Sequence, residues 1–212
     1  MKRQPSLPLD ATFYQQGYRH VAGCDEAGRG PIAGPVVAAA VILPQPSHHP
    51  YIDDSKKMTK NQREAAYTWI IEHATSYAIE VIDVATIDRI NILEASRLGM
   101  KQALSKLNIH FDYVLTDAME LGQQFQPYQA IIKGDQQSFV IACASILAKV
   151  TRDRLMEDLD LQYPVYGFSQ HKGYPTAHHL RMLKIHGVIS KVHRLTFGPV
   201  RNVHSHLSLF DN

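Results

Sequence analysis

Residues 23–35 read Gly-Cys-Asp-Glu-Ala-Gly-Arg-Gly-Pro-Ile-Ala-Gly-Pro, with one apolar run, Arg19–Asp25, leading into them and another, Val36–Leu43, leaving them. The pattern predicts a strand, a glycine-rich turn and a second strand. Asp25 and Glu26 are adjacent acids, poor material for a strand interior unless something charged binds them. Successive side chains of a strand point to opposite faces, so Glu26 must curl toward the Asp25 side if both are to serve one ion. Oxygen-only ligands suit magnesium or manganese, hard cations that keep open positions for water and phosphate. Gly28-Arg29-Gly30 leaves backbone amides bare, so that a bulky sugar-phosphate can approach closely. The run therefore suits phosphodiester chemistry. Gly28, Gly30 and Gly34 also loosely mimic a dinucleotide-binding pattern, but that motif must open a helix. Pro31, Pro35 and the β-branched Val36-Val37 point to a strand instead.

Outward from this turn the chain alternates elements. Thr59 is placed to cap a helix carrying Ala65, Ala66, Trp69, Ile70 and Ala74 at helical spacing. Residues 77–85 alternate as a third strand, and 86–107 read as one long helix with Ile87, Ile90, Leu93, Leu98 and Leu104. Short strands are expected at 113–117 and 130–133, and a long helix at 136–161. A last helix, 177–186, is closed by Gly187. Residues 1–18 are expected to form a loose arm or a short first helix. Strands with intervening helices predict an α/β fold around a mixed sheet.

The 212 residues suit one medium domain, and 45% hydrophobic with 20% charged residues leave ample core material. No apolar run approaches the roughly 18 residues of a membrane helix, so no membrane association is expected. No secretory signal follows the charged N-terminus, and the cytoplasm is the expected compartment. Cys24 and Cys143 are the only cysteines and read as buried small hydrophobes. Net charge is only +2, but from residue 164 onward six Lys/Arg face Asp211 alone, and seven of the twelve histidines lie there. An acidic body with a basic tail region suits a nuclease that holds metal in one place and phosphate backbone in another.

Further motifs follow in order: Asp54-Ser55-Lys56-Lys57, Leu115-Thr116-Asp117-Ala118, Lys133-Gly134-Asp135, Ala144 to Val150 and His171-Lys172-Gly173-Tyr174-Pro175. With Cys24 to Pro31 they resemble the motifs of ribonuclease HII, the type 2 ribonuclease H family, over nearly the whole chain. The resemblance implies a ribonuclease H-like α/β fold, a mixed five-stranded sheet flanked by helices. It also implies division into an arm (1–18), a catalytic domain (19–162) and a basic, helical C-terminal region (163–212) that helps bind substrate. Asp25, Glu26, Asp117 and Asp135 match the family's four metal-holding acids, which would use Mn2+ or Mg2+. By the same resemblance Gly28-Arg29-Gly30 reads a ribose 2′-hydroxyl, Tyr174 rests its ring on the following sugar, and Lys56, Ser145 and Lys149 contact phosphate. His171 and Lys172 are weaker candidates of that kind.

The implied activity is hydrolysis of the RNA strand of RNA–DNA hybrids, with nicking of duplex DNA on the 5′ side of embedded ribonucleotides, by a monomer. The type 3 relative carries an additional N-terminal domain for which the residues ahead of Arg19 leave no room. A hybrid-binding module without catalysis is the rival from another class, and the complete acid set speaks against it. Asp153 is expected to pair with Arg152 or Arg154 on an exposed helix face. His48-His49, His204 and His206 are expected to be solvated.

Overall fold

The computed structural model describes residues 9–45, 47, 49, 52 and 58–208, with side chains described as far as residue 203. Lys56, with the rest of Asp54 to Lys57, lies outside the described residues, as do His48, the first eight residues of the expected arm and the side chains of His204 and His206.

Five strands form one mixed sheet: β1 (Val21–Ala27), β2 (Val36–Ile42), β3 (Ser76–Ile82), β4 (Tyr113–Asp117) and β5 (Tyr128–Ile131). Their order is β3-β2-β1-β4-β5; β2 runs antiparallel to β1 and β3, while β4 runs parallel to β1 and β5. The helices are α1 (Leu9–Gln15), α2 (Lys60–His73), α3 (Val84–Ile90), α4 (Ile92–Ser105), α5 (Phe139–Gln162), α6 (Phe168–His171), α7 (Ala177–His186) and α8 (Gly198–Ser208).

Strand alternation sorts the sheet into two cores. Val37, Ala39 and Val41 of β2 and Leu115 of β4 pack with α2 and α5. Ala38, Ala40 and Ile42 pack with Ala22, Cys24 and the Met100, Ala103 and Leu104 face of α4. Both cysteines are buried and free. Helix α5 runs against β1 so closely that a Cβ at Gly23 would collide with the Val140 carbonyl and stand 2.6 Å from the Ile141 nitrogen. Asp10 fixes the start of α5, accepting from the Phe139 and Val140 amides (2.7 and 3.1 Å) and the Ser138 hydroxyl (2.6 Å). Elements beyond residue 163 gather over the 28–35 turn, where Tyr166, Phe168, Leu183, Val192 and Val200 cluster with Ile32, Ala33 and Met156.

Thr59 caps α2 in a reciprocal pair with Gln62, as its position predicts. The expected third strand stops at Ile82 because Asp83 turns to accept from the Thr86 amide, 2.7 Å, and caps α3. The expected long helix at 86–107 is two helices. Asn91 takes a positive φ of 67° with ψ 166°, which leaves the helical region, and its side chain caps α4 through the Leu93 and Glu94 amides. The last strand lies at 128–131, two residues earlier than expected, and the long helix begins at Phe139 behind a one-turn 3-10 helix, Gly134–Gln136.

Gly23→Ala should lower stability by about 1–3 kcal/mol, because the clash is with helix backbone that cannot rotate away. A urea-denaturation midpoint equal to that of the wild type would show that α5 can withdraw from β1.

Candidate active site

Parallel pairing of β1 with β4 sets Cys24 level with Thr116, so the next residue on each strand, Asp25 and Asp117, falls at the same height on the α5 face. Glu26 has the opposite parity but lies at the strand end, and its carboxyl reaches the same cavity. That cavity, about 430 Å³, is lined by all three acids together with Gly28, Arg29, Gly30, Ser145, Lys149, Arg152 and Tyr174. Of the four acids singled out in the sequence, three therefore share one cavity. Asp135 does not line it. It sits buried, 1% exposed, in the 3-10 turn beyond β5, tied to the others through its neighbour: the Gly134 amide donates to Asp117 Oδ1 at 2.8 Å.

Each acid is engaged by a protein donor. Asp25 accepts from the Glu26 amide at 2.7 Å and from the Ser145 hydroxyl. Arg29 reaches Glu26 Oε1 at 3.3 Å, whereas Glu26 Oε2 is buried with no hydrogen-bond partner. The three carboxyls thus point at different donors, and among the described residues no three His, Cys, Asp or Glu groups close on a common point. Burial, reinforced by Glu26 and Asp117, holds the Asp25 carboxyl well above the usual carboxylate range. Burial also pushes Glu26 up to about 7, against the opposing pull of Arg29. Oxygen donors, mutual repulsion and an orphaned buried carboxylate oxygen together fit a hard divalent cation.

Ser145 and Lys149 stand one turn apart on α5, as their spacing predicts, and both line the cavity. Asp153 pairs with Lys149 at 2.7 Å and not with either expected arginine. Arg154 goes instead to Glu64 and lies over the Tyr67 ring, 4.5 Å from its centroid. Lys172 joins Glu157 at 2.9 Å, and His171 bonds the Tyr166 carbonyl at 2.8 Å; neither lines the cavity.

Two buried arginines organise the glycine-rich turn: Arg152, expected on an exposed helix face, and Arg194, expected only as part of the basic tail. Arg194 is fully buried, and its guanidinium donates to five carbonyls of that turn: Gly28 (2.7 Å), Arg29 (3.2 Å), Pro31 (2.7 Å), Gly34 (2.9 Å) and Pro35 (3.2 Å). Arg152, 1% exposed, donates to Ala33 (3.1 Å), Pro35 (2.9 Å) and Lys172 (2.9 Å). Gly28 has φ 103°, and a Cβ there would strike the Arg152 side chain. The carbonyl edge of the turn thus faces the arginines, and its other edge, Gly28 to Gly30, lines the cavity. Arg152 was legible in principle, since it continues the inward stripe of Ser145, Ala148 and Met156 along α5. Arg194 carries no periodic signal; it is one of the six basic residues of the tail and is removed from any phosphate-binding surface.

A family model described as Ribonuclease HII matches residues 22–200. Ribonuclease HII of Acholeplasma laidlawii is 50% identical over 195 residues, covering 92% of this chain and 95% of that protein. Among solved structures, ribonuclease H2 from Pyrococcus horikoshii OT3 superposes with TM-score 0.76 at 26% identity, covering 89% of this chain and 99% of that one. Bst-RNase HIII in complex with Mn2+ shares the fold at TM-score 0.66 and 16% identity, over 94% of this chain and 73% of that one.

The raised carboxyl pKa values carry a signed consequence. The folded state keeps a proton on Glu26 up to about 7, while an unfolded glutamate releases it near 4.5. The contribution of this group to stability therefore falls as pH rises from 4.5 through 7. Without divalent ions, Asp25→Asn should be more stable than wild type by roughly 2 kcal/mol at pH 8, with a smaller gap at pH 5. Thermal melts in chelator check this, and a variant no more stable than wild type at pH 8 would contradict the electrostatic reading.

Proposed function

Because the chain belongs to the ribonuclease HII family and is a ribonuclease H acting on RNA–DNA, we propose that it nicks duplex DNA on the 5′ side of embedded ribonucleotides as well as cutting the RNA strand of hybrids. Products would carry 3′-hydroxyl and 5′-phosphate ends. The observation that carries this reading is one cavity shared by Asp25, Glu26, Asp117, the Gly28-Arg29-Gly30 turn and Tyr174.

In this reading Asp25, Glu26 and Asp117, with Asp135 as the fourth acid, hold two divalent ions, Mg2+ or Mn2+. Such ions would supply Lewis-acid stabilisation of the phosphoryl charge and would lower the pKa of bound water. Water's oxygen adds to phosphorus, the bond to the 3′-oxygen breaks, and that oxygen takes up a proton while water loses one. Ser145 and Lys149 steady the phosphate, and Lys56 contributes to the same task. Lys149 is already neutralised by Asp153, so it acts as a positioned hydrogen-bond donor more than as a free charge. The turn's backbone edge reads the 2′-hydroxyl, the group that distinguishes RNA from DNA. Tyr174, 47% exposed, offers its ring to the next sugar, where a deoxyribose face fits and a hydroxyl would crowd it.

The basic region 163–212 contributes to substrate binding, and the enzyme works as a cytoplasmic monomer in ribonucleotide removal from DNA. Among the described residues no helix is long and apolar enough to cross a membrane.

A nicking assay with Mg2+ or Mn2+ on duplex DNA containing one ribonucleotide tests the reading directly. Asp25→Asn and Asp117→Asn should each reduce cleavage by roughly 10³-fold or more while leaving duplex binding largely intact. Near-normal turnover in either would overturn the metal assignment. Tyr174→Ala should harm cleavage at a single ribonucleotide more than cleavage of long hybrids, and equal loss on both would remove its junction-reading role.

A further inference from the structure

The Tyr174 ring stands against the Gly28-Arg29-Gly30 turn: a Cβ at Gly30 would lie 3.2 Å from the ring. The gap between the two is the place where, on the reading above, a ribonucleotide and its neighbour are told apart. Something must hold Tyr174 there, because its side chain is half exposed and makes no hydrogen bond in the described structure.

The backbone provides the hold. The Tyr174 carbonyl faces His179 Nδ1 at 2.9 Å, His179 Nε2 faces His193 Nε2 at 3.2 Å, and His193 Nδ1 faces the Ile189 amide at 2.9 Å. Only one assignment of protons satisfies all three contacts for two neutral rings. The Ile189 N–H obliges His193 Nδ1 to accept, so the His193 proton sits on Nε2 and is donated to His179. His179 then carries its proton on Nδ1 and donates to the Tyr174 carbonyl. Both rings are fully buried, and His171 stacks on His179 at 4.4 Å and 12°. Burial keeps both imidazoles neutral, pulling His179 down to about 4 and His193 to about 3.

His193 also belongs to the other wall. It bridges Ala33 in antiparallel fashion, flanked by Gly34 N–H to Val192 O at 2.8 Å and Arg194 N–H to Ile32 O at 2.9 Å. Adjacent side chains in extended backbone diverge. Arg194 goes to the carbonyls of the turn, and His193 goes, through His179, to Tyr174.

We propose that His193 is a positioning residue for substrate discrimination: with Arg194 beside it, it fixes the separation between the Tyr174 ring and the glycine-rich turn. The proposal rests on the junction-reading role of Tyr174 given above. It assigns His179 and His193 no contact with substrate and no part in the chemical step.

Two substitutions separate positioning from folding. His193→Gln can keep an N–H donor at the reach of Nε2, preserving the link to His179. His193→Asn can keep only the acceptor for Ile189 and is too short to reach His179. Each is assayed, with wild type and Tyr174→Ala alongside, for kcat and KM on a duplex with one ribonucleotide and on an RNA–DNA hybrid.

The ratio of kcat/KM on the two substrates should fall about tenfold or more in His193→Asn and stay within about threefold of wild type in His193→Gln. Loss on both substrates in proportion, or equal behaviour of Gln and Asn, would overturn the proposal. A wild-type ratio unchanged by Tyr174→Ala would instead overturn the junction-reading role itself, a separately visible result. Nitrogen NMR of the wild-type rings gives a readout independent of activity. His193 protonated at Nε2 and His179 at Nδ1 supports the relay, and the opposite tautomers sink it.

Discussion

A turn containing Gly28, Gly30, Pro31, Gly34 and Pro35 cannot be held by a sheet ladder, since proline lacks the donor and glycine carries the largest ordering cost. Its carbonyls nevertheless lie in the interior, where an unpaired acceptor is penalised by about 1–3 kcal/mol. Arg194 and Arg152 resolve this with guanidinium N–H groups, which can serve several oxygens from one rigid plane. Both charges are buried opposite carbonyl dipoles and not opposite carboxylates, and burial lowers them only to about 9 and 10, so they remain charged at neutral pH. The glycine-turn wall of the cavity depends on this contact. It fixes the turn and ties α5 and the 192–194 segment to it, and that segment carries the histidine relay.

What could be read from the chain divides along the same physical line. Asp25, Glu26 and Asp117 were legible because an acid at the end of an apolar strand is anomalous, and anomaly is visible in one dimension. The sheet's element types were legible from alternation, and the α2 cap from Thr59 and Gln62. Asn91 broke the expected long helix without glycine or proline, through a positive-φ backbone at which its side chain caps the next helix. Arg194 and His193 counted only toward a basic, histidine-rich tail suited to phosphate, because their actual partners are backbone groups or another histidine. A carbonyl has no residue identity, so a side chain bonded to carbonyls leaves no complementary letter elsewhere in the sequence.

The histidine-rich composition of the last stretch likewise changes meaning once placed. His179 and His193 are interior hydrogen-bonding groups, with Tyr166 and Phe168 packed around them. The charge asymmetry between body and tail therefore overstates the cationic surface available to a duplex: Arg194 is buried, and Lys172 is paired with Glu157. Electrostatic attraction of phosphate is weaker here than the count of basic residues implies, and shape at the cavity carries more of the recognition.

This shifts how the C-terminal region should be regarded. An accessory that merely adds affinity could be removed with the catalytic pocket left whole. Here the region supplies Arg194, which holds five carbonyls of the turn that lies next to Asp25 and Glu26 in sequence and in space. It also supplies His193, which is linked to the Tyr174 carbonyl through His179. Asp88, between β3 and α4, secures the same segment by accepting from the Leu195 and Thr196 amides at 2.9 and 3.0 Å. The turn cannot keep its geometry if the segment leaves, because the Gly28, Arg29, Pro31 and Gly34 carbonyls would lose Arg194 together. The acids of the sheet and the residues beyond 163 consequently form one cooperative site, in which strand ends supply the charge and the C-terminal segment supplies the shape.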